Sequence, residues 1–346
     1  MMIQPHRLCA AVLFLFSLSM RSEPASAAEG SCAAPASSAC YFSFTPASGR
    51  LALHYYASME PPAQPAPSGP TQALITIHGH PRDANKTFDA AWRAVQAAEA
   101  TDKTLVVAPV FQVSEAQSST CSTGGVPAAA ANDLLWTCAS WLDGSPSGED
   151  GITSFAAMDA LVAELVQRWP SLRSVTLAGF SAGAQMVQHY IGFAAADHVG
   201  GASVRYVVSD PGTWLYFDAF RPDPPSAPCP AFNRWKYGTD ALPATLGRSA
   251  VDARARYAAA DVSYLEGELD SGTAPGTFYK IMDKSCSAMA QGPYRLQRGL
   301  AYAEYDRTML APGKNRRVTI VPGCAHDVAC VFPSPAAREA LLGPSR

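Results

Sequence analysis

Residues 173–194 read RSVTLAGFSAGAQMVQHYIGFA, and the centre of this stretch is Gly179-Phe180-Ser181-Ala182-Gly183. The apolar run before the serine is typical of a buried strand, and the residues after it have helical spacing. A serine at such a turn is either a helix N-cap or a nucleophile lifted clear of a sheet. Because a G-x-S-x-G match arises by chance in roughly one chain of this size in ten, the motif alone does not decide between them.

Strands and helices alternate along most of the chain. The sequence predicts strands at 41–44, 51–57, 72–78, 104–110, 174–178, 204–208, 262–265 and 317–321, and helices at 84–100, 155–168, 182–194, 244–260, 286–309 and 335–342. This alternation predicts an α/β fold with right-handed crossovers and a mostly parallel central sheet flanked by helices. Two segments are expected to be insertions that form a lid-like region. They are the loop 113–150, which lacks a strong period, and a cap-like segment 211–261, whose part 211–240 is rich in proline and aromatic residues.

Composition limits the possible functions. The chain has 346 residues, of which 48% are hydrophobic, enough for one large core or at most two. The formal net charge is −3. Without a long charge run or a basic stripe, nucleic acid and anionic membrane surfaces are poor candidates as partners.

The amino terminus has the pattern of an export signal. His6 and Arg7 precede an apolar run at 8–20, and a patch of small residues ends in Ala25-Ser26-Ala27. A short apolar run followed by an A-x-A site favours a signal peptide over residues 1–28, with an uncleaved anchor as the alternative. We therefore expect residues 29–346 to be a single, exported, monomeric domain without a transmembrane segment.

The cysteines agree with export. Removal of the predicted signal peptide takes Cys9 away and leaves eight cysteines, an even number that is typical of disulfides in an exported chain. Eight cysteines allow 105 pairings, and proximity in the sequence favours Cys32–Cys40, Cys121–Cys138, Cys324–Cys330 and Cys229–Cys286. No C-x-x-C or H-E-x-x-H spacing occurs, so we expect no metal site.

A nucleophilic serine needs a base and an acid that orients the base. His326 follows the last predicted strand and can reach the carboxyl edge of the sheet, where Ser181 is expected. Two carboxylates compete for the third position, since Asp270 follows the strand at 262–265 and Asp210 ends the strand at 204–208. We favour Asp270 because its loop adjoins the last strand in chain order, and Asp327 is too close to His326 to orient it easily.

A tetrahedral oxyanion would need two N–H donors aimed at it. The backbone N–H of Ala182 lies at the predicted helix start, where the helix dipole also favours negative charge. The second donor is expected from the loop His78-Gly79-His80-Pro81. Because proline has no N–H, His80 is the candidate donor.

The four segments together resemble the α/β-hydrolase superfamily, from about residue 40 to residue 342. The matching pieces are ITIHGH at 75–80, LAGFSAGA at 177–184, YLEGELD at 264–270 and VPGCAHD at 321–327. The resemblance implies acyl transfer to water without a cofactor, with Ser181, Asp270 and His326 as catalytic residues in the superfamily's chain order. Exported esterases and polyester depolymerases are the most similar members, so we expect a secreted enzyme that acts on an ester substrate, with polyesters among the candidates.

The same resemblance suggests where a substrate would lie. An aromatic residue after the strand that follows the nucleophile helix often lines the acyl subsite in cutinase-like enzymes, which makes Trp214 and Tyr216 candidate substrate-binding residues. Two other functions stay open on the sequence: a serine peptidase or amidase of the same fold, and a binding protein that uses the fold without catalysis.

Overall fold

The strands predicted on either side of Ser181 belong to one sheet. The structure, a computed structural model, describes residues 1–2, 32 and 36–344, so nearly all of the predicted signal peptide lies outside the described residues. In chain order the strands are β1 (Tyr41–Phe44), β2 (Leu53–Ala57), β3 (Gln72–Ile77), β4 (Thr104–Val110), β5 (Gln112–Val113), β6 (Leu135–Trp136), β7 (Ser174–Phe180), β8 (His198–Val199), β9 (Ala202–Ser209), β10 (Val262–Gly267) and β11 (Val318–Val321).

The order of the strands in the main sheet is β1-β2-β4-β3-β7-β9-β10-β11, with β8 added to β9. The strands from β4 to β11 along this path pair in parallel, whereas β1, β2 and β8 pair antiparallel with their neighbours. The prediction of a mostly parallel central sheet is therefore confirmed. Because the carboxyl ends of parallel strands meet at one edge, the loops after β3, β7, β9, β10 and β11 gather there.

Helices cover both faces of the sheet. They are α1 (Ala84–Ala97), α2 (Glu115–Ser118), α3 (Ser154–Arg168), α4 (Ala182–Phe193), α5 (Ala250–Ala259), α6 (Cys286–Met289), α7 (Arg295–Tyr305), α8 (Val328–Val331) and α9 (Arg338–Leu342). One apolar cluster joins the sheet to α3, α4, α5 and α7, and a second joins its other face to α1, α8 and α9. Alternate residues of a strand enter opposite clusters, as Ile75 and Leu74 of β3 do. Among the described residues, none of the helices combines the length and the hydropathy that a bilayer crossing would need.

Two of the predicted helices are shorter than expected. The helix predicted at 286–309 is wrong as one element, because Gly292 and Pro293 separate α6 from α7. Proline has no N–H to donate and disfavours helical geometry at the preceding residue. The helix predicted at 244–260 begins only at Ala250, since Gly247 has a φ of +66°, a left-handed backbone that ends a short 3₁₀ turn.

Disulfides cross-link several parts of the described chain. In the described part of the chain the bonded pairs are Cys32–Cys40, Cys121–Cys138, Cys229–Cys286 and Cys324–Cys330, which confirms the pairing expected from sequence proximity. Cys229–Cys286 joins the segment 211–240 to α6. Cys324–Cys330 closes a loop that contains His326.

A buried ion pair anchors the connection between α7 and β11. Arg316 donates to both carboxylate oxygens of Asp306, at 3.0 and 3.2 Å, and the hydroxyl of Tyr264 donates to the same group. The Arg316 and Asp306 side chains are 4% and 0% exposed. Removal of one partner from such a pair leaves a buried charge without compensation.

We expect Arg316→Met to lower the free energy of unfolding by about 3–5 kcal/mol, because Asp306 would stay buried and unpaired. The matched control is Arg307→Met, which removes the exposed pair between Arg307 and Glu304 and should cost less than about 1 kcal/mol. Urea denaturation of both variants checks this, and equal losses would contradict it.

Candidate active site

Ser181 lies at a sharp turn between β7 and α4. Its backbone has φ 57° and ψ −119°, a conformation that side-chain-bearing residues rarely adopt and that raises the hydroxyl above the sheet edge. A Cβ on Gly179 would overlap the Gly183 carbonyl, and a Cβ on Gly183 would overlap the Ile77 carbonyl. The glycines two residues before and after the serine therefore let α4 start directly against β3 and β7.

The structure brings Ser181, His326 and Asp270 together in one hydrogen-bonded chain. Ser181 Oγ lies 2.8 Å from His326 Nε2, and His326 Nδ1 lies 2.7 Å from Asp270 Oδ2. His326 is 7% exposed and Asp270 1% exposed. Since an ionised carboxylate only accepts, Nδ1 donates to Asp270 and leaves Nε2 free to accept the serine proton.

Arg295, at the start of α7, is the last member of this series of hydrogen bonds, at its buried end. Its guanidinium donates to Asp270 Oδ1 at 3.3 Å and to the Thr277 carbonyl at 2.6 Å. The side chain is 4% exposed. The two oxygens of Asp270 therefore face different partners, a histidine on one side and a fixed cation on the other.

Burial lowers the pKa of the His326 imidazole below its ordinary value of 6.5. The hydrogen bond to Asp270 acts in the opposite direction, and the positive charge of Arg295 adds to the lowering. The rings of Phe180 and Phe278 lie 4.8 and 6.1 Å from the imidazole, centroid to centroid. These contacts keep the ring neutral and ready to accept a proton over a wider range of acidic pH than in a free histidine.

The other two candidate acids occupy different positions. Asp327 caps α8 by accepting the N–H of Ala329 at 2.9 Å, so its carboxylate serves the helix. Asp210 is fully buried and accepts the N–H of Gly267 at 2.7 Å and the hydroxyl of Ser209 at 2.8 Å. Neither carboxylate is hydrogen-bonded to His326.

Asp210, Asp270 and His326 form the one cluster of potential metal ligands in the described residues, with ligand atoms within 4.8 Å of one another. Within this cluster His326 Nδ1 and both oxygens of Asp270 already have hydrogen-bonding partners. These atoms therefore serve a series of hydrogen bonds that links Arg295, Asp270 and His326.

The two predicted oxyanion donors belong to the start of α4 and to the loop after β3. Ala182 is the first residue of α4, where the N–H groups have no acceptor within the helix. The N–H of Gly79 is already donated to Asp83 Oδ1 at 2.8 Å, which agrees with His80 rather than Gly79 as the donor in this loop. The His80 side chain is exposed.

A buried histidine fixes the shape of that loop. His78 Nε2 accepts the N–H of Phe111 at 3.2 Å, so Nδ1 carries the proton and donates to the Gly79 carbonyl at 2.8 Å. Burial lowers the pKa of His78 to about 4, and its ring packs against Trp141. His78 is therefore a neutral structural residue that holds the predicted oxyanion loop in place.

Trp214 and Tyr216, predicted to line the substrate subsite, lie in the core. Both are 0% exposed, and Trp214 stacks on Tyr302 with ring centroids 4.3 Å apart. In this position neither side chain offers a surface to a substrate. The exposed apolar group next to His326 is instead Phe278, at 57% exposure. Leu269, at 52% exposure, precedes Asp270, and Ile281, at 72%, is bonded through its N–H to the Phe278 carbonyl.

Sequence reasoning missed two buried residues next to the site, Arg295 and Glu266. No local pattern points to Arg295, because it reaches Asp270 from a helix 25 residues further along the chain. Glu266 could have been singled out from the sequence, since a glutamate inside the apolar strand VSYLEG is unusual at a buried position.

Comparison with known proteins places the fold. No protein-family model matches the chain, and no curated protein matches it either. Among solved structures it is similar to LpqC, a poly(3-hydroxybutyrate) depolymerase from Bordetella parapertussis, with 19% identity, a TM-score of 0.58 and coverage of 86% of both chains. It is also similar to poly(aspartic acid) hydrolase-1 from Sphingomonas sp. KT-1, with 19% identity, a TM-score of 0.59 and coverage of 87% of this chain and 97% of the other. The sheet order, the flanking helices and these likenesses identify the chain as having the α/β-hydrolase fold.

Proposed function

We propose that this protein is a secreted serine hydrolase that cleaves carboxylic esters through Ser181, His326 and Asp270. The observation that carries the proposal is the unbroken hydrogen-bonded chain from Ser181 Oγ through His326 to Asp270. It ends at a serine held in the backbone conformation of a nucleophile elbow.

The proposed reaction has two halves. Ser181 Oγ attacks the ester carbonyl while His326 Nε2 takes its proton, and the N–H groups of Ala182 and His80 stabilise the oxyanion. His326 then gives the proton to the departing alcohol, which leaves an acyl-enzyme. Water, activated by His326, releases the acid, and Asp270 stabilises the imidazolium each time it forms.

Several features bear on substrate and location. The exposed side chain of Phe278 next to His326, with exposed Leu269 beside Asp270 in the chain and exposed Ile281 bonded to Phe278, favours an apolar substrate, with a polyester among the candidates. One solved structure with the same fold is a depolymerase of poly(3-hydroxybutyrate), a polyester, and another is a hydrolase of poly(aspartic acid), a polyamide, so an amidase is the second candidate function. The four disulfides support export after cleavage of residues 1–28.

A fluorophosphonate should label the purified mature protein, and Ser181→Ala should abolish the labelling, because only an activated serine reacts. The control is Ser43→Ala, an exposed serine on β1. In parallel, p-nitrophenyl esters should be turned over and peptide anilides should not. Anilide cleavage without ester turnover would favour the amidase, and absence of labelling would favour a binding protein.

Asp270→Asn should lower kcat by about 10⁴-fold, because the amide would orient and charge-stabilise His326 poorly. Asp327→Asn is the matched control next to the same histidine, and it should change kcat little, since asparagine caps a helix as well as aspartate. Steady-state kinetics with a soluble ester measures both. Similar losses in the two variants would remove Asp270 from its proposed role.

The pH at which activity is lost on the acid side is expected to depend on the pKa of His326. The imidazole must be neutral to accept the serine proton, and its pKa is lowered, so the limb along which activity disappears should have its midpoint below 6.5. Below that midpoint kcat/KM should fall about tenfold per pH unit. A midpoint above 6.5 for this limb would contradict the assignment.

A further inference from the structure

Two more carboxyl groups lie buried behind Asp270, where β9 and β10 end. Asp210 follows β9 and Glu266 belongs to β10, and both are 0% exposed. A Cβ on Gly299 of α7 would overlap the Glu266 carboxyl, so this helix makes room for the acid with a glycine. The catalytic scheme above uses neither carboxyl.

The hydrogen bonds around these two groups differ. The two oxygens of Asp210 accept from the Gly267 N–H and the Ser209 hydroxyl. Among the described residues, no N–H or O–H group donates to either oxygen of Glu266. Asp210 lies beside Glu266, because the Asp210 N–H donates to the Leu265 carbonyl at 3.1 Å and Asp210 Oδ1 accepts the N–H of Gly267 at 2.7 Å. A buried carboxylate without a donor is strongly unfavourable, which favours the protonated form of Glu266.

The charges nearby point to the same arrangement. The ionisable groups around Glu266 and Asp210 are Asp270, Arg295 and His326, and a ring nitrogen of His326 lies within 4.8 Å of Asp210 and Asp270. Strand β11, on the other side of β10, has the uncharged sequence VTIV. Arg295 already pairs with Asp270. One cation thus balances one of three carboxyls, and Asp210 can ionise only beside a protonated Glu266.

We propose that Asp210 and Glu266 form a carboxyl pair that shares one proton and acts as a positioning unit for Asp270 and His326. Oxygen and nitrogen atoms of Asp210, Asp270 and His326 lie within 4.8 Å of one another. A negative charge on Asp210 therefore favours the imidazolium that forms in each proton transfer. The catalytic part of this inference rests on the proposed hydrolase function.

The pair makes the site sensitive to pH near neutrality. Burial raises the pKa of Asp210 to about 7 and that of Glu266 well above its ordinary range. Below pH 7 both groups are neutral, and as the pH rises Asp210 ionises while Glu266 keeps its proton. We expect kcat to show a second, smaller rise there, of about three- to tenfold, above the acid limb of His326.

The pH dependence of kcat in three variants tests this. In Asp210→Asn, kcat should still fall at acidic pH as His326 is protonated, but the rise in kcat near pH 7 should be lost. In Glu266→Gln both the acidic fall and the rise near pH 7 should remain, because the glutamine amide still donates to Asp210. Glu266→Leu removes the donor, so the rise should move to higher pH. A rise near pH 7 that survives in Asp210→Asn would overturn the proposal.

A second measurement does not depend on activity. The infrared difference spectrum of wild type minus Glu266→Gln at pH 8 should contain the C=O stretch of a protonated carboxylic acid, and its absence would overturn the shared proton. Above pH 7, where Asp210 is ionised and Glu266 still holds a proton that the unfolded chain has lost, the wild-type free energy of unfolding should fall with rising pH by the slope of about one extra native proton. Glu266→Gln should lose that slope, and an unchanged slope would also overturn the proposal.

If the infrared band and the slope are present but no ester is hydrolysed, the proposed function fails and the carboxyl pair stands as a feature of the fold.

Discussion

The close approach of α4 to the sheet is the constraint on which the rest of the site depends. It exists because Gly183 has no side chain and can lie against the backbone of Ile77 at the end of β3. This contact brings the start of α4, the serine and the loop after β3 to one point. The serine hydroxyl and the candidate donor at Ala182 then lie beside the loop that carries the second candidate donor, an arrangement that no single segment of the chain could create.

Buried charge is the second feature that shapes the molecule. Arg295 with Asp270 and Arg316 with Asp306 are ion pairs in which each side chain is at most 4% exposed. Such pairs add little net stability compared with apolar packing, and their value is that they fix geometry. Here they hold the two ends of the region between β10 and β11, which carries Asp270, whereas His326 follows β11.

The sequence was most informative where function depends on chain order. Ser181, His326 and Asp270 could be selected because each follows a strand, and parallel strands end at one edge of the sheet. The helix at 286–309 was misjudged because apolar spacing continues across Gly292 and Pro293. Trp214 was placed at a surface by analogy, whereas stacking on Tyr302 holds it in the core. Arg295 could not be anticipated, since its partner is remote in sequence and only the tertiary fold joins them.

Because of the disulfide between Cys324 and Cys330, the position of the loop that bears His326 depends on oxidation of the chain as well as on packing. Apart from this bond, the backbone of His326 is held to the neighbouring loop by its N–H, which donates to the Gly276 carbonyl at 3.2 Å. While the chain is reduced, the His326 imidazole is therefore less firmly placed than Ser181, whose turn is built into the sheet. The 2.8 Å contact between Ser181 Oγ and His326 Nε2 thus depends on oxidation of Cys324 and Cys330.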